Sequence, residues 1–271
     1  MDCAPICGKD LERLYRKYNR PVYIHPDPLE FLHAYPCPRD REVVGLIASC
    51  LAYGRVSQIL KSVSLVLQEM TPSPFLFVQG GSRESVRSLF SGFKHRFSTG
   101  AQLATLLDAV RRLLRHYGSL EAAFAEGMGP EDETVLPGLG AFVGKLTHGT
   151  GRRLDHLVPQ PVRGSACKRL NLFLRWMVRT DSVDPGGWLL VSPRQLLVPV
   201  DVHMHRTCLA LGLTRRKQAD MRTVLEITGA FRAMAPDDPV RYDFVLTRFG
   251  IRQDVPAPWD SLQDMRKVII A

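Results

Sequence analysis

No run of about 18 or more apolar residues occurs anywhere in the 271-residue chain, which excludes the simplest membrane-spanning helix. The opening segment, MDCAPICGKDLERLYRKYN, has no apolar core of the kind a secretion signal needs, so a cytoplasmic protein with no membrane partner is expected. Cysteine is sparse and scattered, at positions 3, 7, 37, 50, 167 and 208. Only Cys3 and Cys7 lie close together, and no second pair completes a zinc or iron–sulfur set, so a reducing compartment is expected. Repeats, low-complexity tracts and sustained strand-like alternation are also missing. Acidic residues are in deficit, 27 against 36 basic ones, for a formal charge of +9 and a pI near 9.5. A basic surface concentrates polyanions and drives their association by counterion release, which points toward nucleic acid.

Helical periodicity is abundant. Leu103, Leu106, Leu107, Val110, Leu113 and Leu114 form one stripe over residues 99–116, and Gly118 ends the run. Helices are likewise expected over 41–70 with a break at Gly54, and over 165–180, 201–212, 220–234 and 239–249. Proline pairs in HPDP, YPCP and TPSP punctuate the chain without forming a free linker. The pattern implies an all-α protein that folds as one integrated unit over 1–271. Within it, a central lobe (36–198) would carry the lysine helix described below, and a second lobe (1–35 plus 199–271) the aspartate helix.

VPVDVHMHR, residues 198–206, carries an aspartate and two histidines at alternate positions. On a strand His203 and His205 would share a face and could grip one ion, as in a metal-dependent hydrolase. On a helix they diverge by about 200°. The following RTCLALGL repeats at helical spacing, so no metal site is expected here. Asp201 fits the N-cap of that helix. Apolar LLVPV leads straight into it, and a carboxylate emerging beside apolar surface is also a candidate for proton chemistry.

In GSACKRLNLFLRWMVRTD, Leu170, Phe173, Leu174 and Met177 form the apolar stripe. Lys168 falls near the N-terminal end, where its positive charge opposes the helix dipole and a neutral, nucleophilic amine is easier to reach. LPGLG, residues 136–140, has the glycine pattern of a phosphate-binding hairpin but no lysine two residues later, so it is expected to be a turn followed by a helix.

VPVDVHM at 198–204 resembles the catalytic-aspartate segment of the helix-hairpin-helix DNA glycosylases, most closely the 8-oxoguanine glycosylases. GSACKRLNLFLRWMVR resembles the lysine-bearing helix of their archaeal branch, and the spacing of 33 residues between Lys168 and Asp201 is similar to that branch. The chain is also similar to an uncharacterised bacterial family that shares KRLNLFLRWMVR and VDPGGW. The resemblance implies a bilobed all-α fold with the active site in the cleft between lobes, Lys168 as nucleophile and Asp201 as catalytic carboxylate. It implies a bifunctional glycosylase and AP lyase that excises an oxidised base, 8-oxoguanine foremost, from double-stranded DNA, as a monomer and without metal or organic cofactor.

His203 falls at a position beside DNA and pocket, GFKHRF at 92–97 looks like the family's GYRARY segment, and RYDFVLTRFGI at 241–251 falls at its pocket helix. DNA contacts would then come from Arg55, Lys94, Arg96, Arg169, Arg175, His203 and Arg206. Arg152, Arg153, Arg163 and Arg179 add to the basic cluster, seven charges with Lys168, Arg169 and Arg175 within the 28-residue span 152–179. Trp176, Asp243 and Phe244 would line the substrate pocket. Two departures stand: PVRGSACK is no standard hairpin, and no four-cysteine iron–sulfur loop follows residues 239–249. Two further readings remain: a non-catalytic DNA-binding or lesion-sensing protein, and a metal-dependent hydrolase using His203 and His205.

Overall fold

A computed structural model of the chain describes residues 8–251. Cys3 and Cys7, and the outer parts of the two-lobe division at 1–7 and 252–271, lie outside the described residues.

The architecture is helical. Twelve α-helices among the described residues are joined by short 3-10 turns and one two-stranded hairpin. In chain order the helices are α1 (Gly8–Tyr18), α2 (Pro38–Leu51), α3 (Val56–Gln68), α4 (Pro74–Gly80), α5 (Arg83–Leu89), α6 (Gly100–Tyr117), α7 (Leu120–Ala125) and α8 (Leu136–Thr147). The remaining four are α9 (Lys168–Val178), α10 (Val202–Ala210), α11 (Met221–Met234) and α12 (Asp243–Ile251). β1 (Lys94–His95) pairs antiparallel with β2 (Ser98–Thr99). The strand-free expectation misses this hairpin because two residues per strand are too few to show alternation.

The periodic stripes become the buried faces. Thr99 caps α6 with a reciprocal bond from Gln102, and Gly118 closes it in the left-handed region, so both ends agree with the sequence. The break at Gly54 separates α2 from α3, where the glycine adopts φ +99°. LPGLG is not a turn: Leu136–Thr147 is helical from its first residue, with Pro137 in the opening turn. Gly138 lies against Met128 and Phe124, so close packing accounts for the glycine and no phosphate-binding hairpin is needed.

α2 and α9 form the centre of the molecule. Gly45 of α2 permits the close approach, since a Cβ there would sit 3.3 Å from Leu32 and Phe173. Around this pair α6 packs with α4, α5, α7 and α8, while α10 packs on α12 and α12 on α1. Phe173 and Met177 lie against α2 at Gly45, and with Trp176 they are fully buried. No helix among the described residues is long and apolar enough to cross a membrane.

Candidate functional site: a cavity between the lysine and aspartate helices

A cavity of about 810 Å³ opens where α9, α10 and α12 meet the end of α2. Lys168 and Asp201 both line it, with Nζ 3.4 Å from Oδ2. Each side chain keeps about a third of its surface exposed, so the pair is open to a ligand.

Local sequence explains the meeting. Cys167 turns the chain at φ +46° just before α9, and Ser165 steadies that turn by accepting the Cys167 amide. The preceding turn is tied to α11 by the Met221 amide donating to the Gly164 carbonyl at 3.1 Å. Lys168 is therefore the first residue of α9 and projects from its N-terminal end. On the other side Leu196, Leu197, Val198 and Val200 are buried, and the Val198 amide donates to Thr228 of α11. Asp201 leaves this apolar strap as the N-cap of α10, its Oδ1 accepting the Met204 amide at 2.8 Å. One carboxylate oxygen holds the helix and the other faces the amine, so capping and pairing coexist.

The two histidines part. His203 is exposed and lines the cavity, whereas His205 is buried with Nε2 2.8 Å from the Arg216 carbonyl. No group of three or more His, Cys, Asp or Glu among the described residues is placed to hold a metal ion.

The cavity floor is charged and buried. Arg175 is 2 % exposed; its Nε and Nη2 donate to Asp184 at 3.2 and 3.1 Å, and its Nη1 donates to Asp243. Asp243 lines the cavity with Oδ2 on Arg175 and no partner for its buried Oδ1. Burial pushes its pKa up to about 6; Arg175 lowers it, while Asp201 and Asp184 add to the rise. Arg248 also lines the floor, bonded to Asp27 at 2.5 Å and stacked 4.3 Å over Phe244.

The other expected residues distribute as follows. Arg169 lines the cavity, but as a clamp: it donates to the Cys50 carbonyl at 2.8 Å and to the His156 carbonyl, and lies 5.0 Å over the Tyr53 ring. Arg175 and Arg179 are buried in ion pairs, and Arg152 and Arg163 both pair with Asp155, so the basic cluster is largely neutralised locally. Arg55, Lys94, Arg96 and Arg206 are exposed and form no ion pair among the described residues. Arg96 adopts φ +51° at the hairpin tip, and its side chain packs against Gly54, where any Cβ would collide with it. Trp176 is in the core away from the cavity, and Phe244 lies beneath the floor under Arg248.

Sequence reading passed over Tyr53, Asp27, Thr247 and Arg248, all of which line the cavity. HPDP contained Asp27, but nothing in a single sequence ties residue 27 to residue 248.

No curated protein and no solved structure matches the chain. Residues 27–252 match a family described as "Protein of unknown function (DUF2400)", a span that holds Lys168, Asp201 and the cavity floor, and the chain belongs to that family.

Proposed function

We propose that the protein is a bifunctional DNA glycosylase and AP lyase acting on an oxidised base in double-stranded DNA, 8-oxoguanine foremost. One observation carries the reading: an amine and a carboxylate 33 residues apart in sequence stand 3.4 Å apart in the wall of a cavity large enough for a nucleotide base. In this reading the second lobe brings the aspartate helix to the lysine helix across a bilobed cleft, and the enzyme works as a cytoplasmic monomer.

A base inside a duplex must first leave the stack, at a cost of a few kcal/mol that damage lowers. Asp201 then accepts a proton from the Lys168 ammonium and faces the positive charge that develops on the sugar. The neutral amine attacks C1′ and the base departs. Ring opening gives a Schiff base, which acidifies the C2′ proton and allows elimination of the 3′ phosphate. The exposed, unpaired Arg55, Lys94, Arg96 and Arg206 supply phosphate contacts, and His203 stands at the cavity mouth.

Borohydride reduction tests this, because only a Schiff base leaves a covalent protein–DNA adduct. Wild-type protein is expected to trap on duplexes carrying an abasic site or an oxidised base, and Lys168→Gln to trap on neither. Absence of wild-type trapping across a lesion panel refutes the lyase; trapping by Lys168→Gln refutes the nucleophile. An EDTA-treated sample is expected to trap as well as an untreated one, whereas a hydrolase using His203 and His205 would lose activity.

A further inference from the structure

Two carboxylates share the cavity, and their surroundings differ. Asp201 is partly exposed, pairs with an ammonium and caps a helix. Asp243 lines the cavity but is 2 % exposed, with one oxygen held by Arg175 and the other buried without a partner among the described residues. A buried carboxyl oxygen that nothing satisfies is expensive to maintain, and two acids in unlike environments divide naturally into base and acid roles.

We propose that Asp243 is the general acid of the excision step, delivering a proton from its free carboxyl oxygen to the departing base. The proposal rests on the glycosylase reading above, with Lys168 as nucleophile. The neutral Lys168 amine forms the bond to C1′. The bond between C1′ and the base nitrogen breaks, its electron pair going to the base, and the base takes the Asp243 proton at a ring nitrogen or carbonyl oxygen. Asp243 is left as a carboxylate facing Arg175, which stabilises it, and regains a proton from solvent after the base is released. The substrate class is a base that leaves poorly as an anion and so gains from protonation.

The groups facing Asp243 suit this cycle. Arg175 comes from α9, Asp184 from the loop after it, and Asp201 and Cys208 from α10. Arg248, on the same helix, also lines the cavity, and its buried Nε has no partner among the described residues. Burial, aided by Asp201 and Asp184 against Arg175, lifts the Asp243 pKa to about 6, closer to neutrality than an ordinary carboxyl.

The test separates excision from lyase chemistry. An abasic duplex has no base to protonate, so its trapping needs Lys168 and Asp201 but not Asp243. Asp243→Asn is expected to lose about 10²-fold or more in single-turnover excision of the lesion. Its trapping on a preformed abasic duplex should fall at least about tenfold less than its excision does. Excision by Asp243→Asn at the wild-type rate, or an equal loss on both substrates by a variant whose thermal melt shows it folded, overturns the assignment. Should the variant not fold, the wild type serves. The ratio of its excision rate to its abasic trapping rate is expected to fall about tenfold per pH unit on the alkaline side, since the shared Lys168 and Asp201 cancel. A ratio flat with pH overturns the assignment. Failure of wild type to trap on abasic duplex defeats the glycosylase reading itself, a result distinct from either.

Discussion

Replacing Arg175 by Met, which keeps much of the side-chain volume, removes the cation that two buried carboxylates share. Asp184 is 0 % and Asp243 2 % exposed. Asp184 keeps Arg179, but Asp243 is left with no cation on its carboxylate. Breaking a buried pair by deleting one partner costs about 3–5 kcal/mol, because the orphaned charge stays desolvated. That corresponds to a fall of roughly 10 °C in Tm for a chain of this size. Asp243→Asn is the contrasting perturbation. Arg175 retains both bonds to Asp184, and an amide oxygen can still accept its Nη1, while the cost of burying the second carboxylate disappears. Its loss is expected to stay below about 1.5 kcal/mol.

The pH dependence has a definite sign. With its cation gone, the folded-state pKa of Asp243 moves further above the unfolded value, so the folded variant binds an extra proton at mildly acidic pH. The deficit of Arg175→Met should therefore shrink between pH 8 and pH 5. Urea denaturation of both variants and wild type at those two pH values measures all of this. An Arg175→Met deficit no larger than that of Asp243→Asn, or one that grows on acidification, would refute the reasoning.

Asp201→Asn keeps a good N-cap and removes the charge, so stability should change by less than about 0.5 kcal/mol while borohydride trapping is lost; Asp201→Ala should lose trapping and also about 1 kcal/mol in urea denaturation. Asp181 is held at a pKa of about 2: burial opposes its charge, but Arg179, the amides of Asp184 and Val183 and the Tyr15 hydroxyl outweigh it. A depressed carboxylate contributes stability that is present above its unfolded pKa and lost as pH falls toward the folded one. The advantage of wild type over Asp181→Asn, about 2 kcal/mol at pH 6, should fade between about pH 4 and pH 2 in chemical denaturation. Gly100→Ala would place a Cβ on the Phe90 carbonyl oxygen at the start of α6, so a drop of several degrees in Tm is expected by calorimetry.

The helices were legible because each buries one stripe, and caps at Thr99, Asp201 and Asp220 mark their starts with side chains that accept backbone amides. What could not be read was which charged residues are inside. Glu42 is an unremarkable position in α2 by sequence. It is nonetheless 2 % exposed, accepting the Leu120 amide at 3.0 Å and the Trp188 indole at 3.2 Å, and burial lifts its pKa to about 7. Arg175 and Arg179 had the same outward look, and their partners Asp184, Asp238 and Asp243 lie 5 to 68 residues away. Helical periodicity identifies a face only when its residues are apolar; an ion pair buried on that face breaks the pattern that would reveal it.

That failure bears on function. Counting arginines in residues 152–179 made the lysine helix look like a docking surface for a polyanion, yet Arg169, Arg175 and Arg179 are occupied within the protein, and Arg152 and Arg163 share Asp155 at the surface. Exposed cations without an ion pair among the described residues also lie on segments distant in sequence, among them Arg55 after α2, Lys94 and Arg96 on the hairpin and Arg206 on α10. None of these four lines the cavity, so under the proposed reading phosphate contacts would come from several segments and not from one basic helix. The buried arginines then have another task. They fix Asp243 and Asp184 beneath a cavity lined by Lys168 and Asp201, and Arg175 opposes the rise in the Asp243 pKa that burial causes. The positive charge of the chain is thus divided between exposed cations on separate segments and arginines held in buried ion pairs.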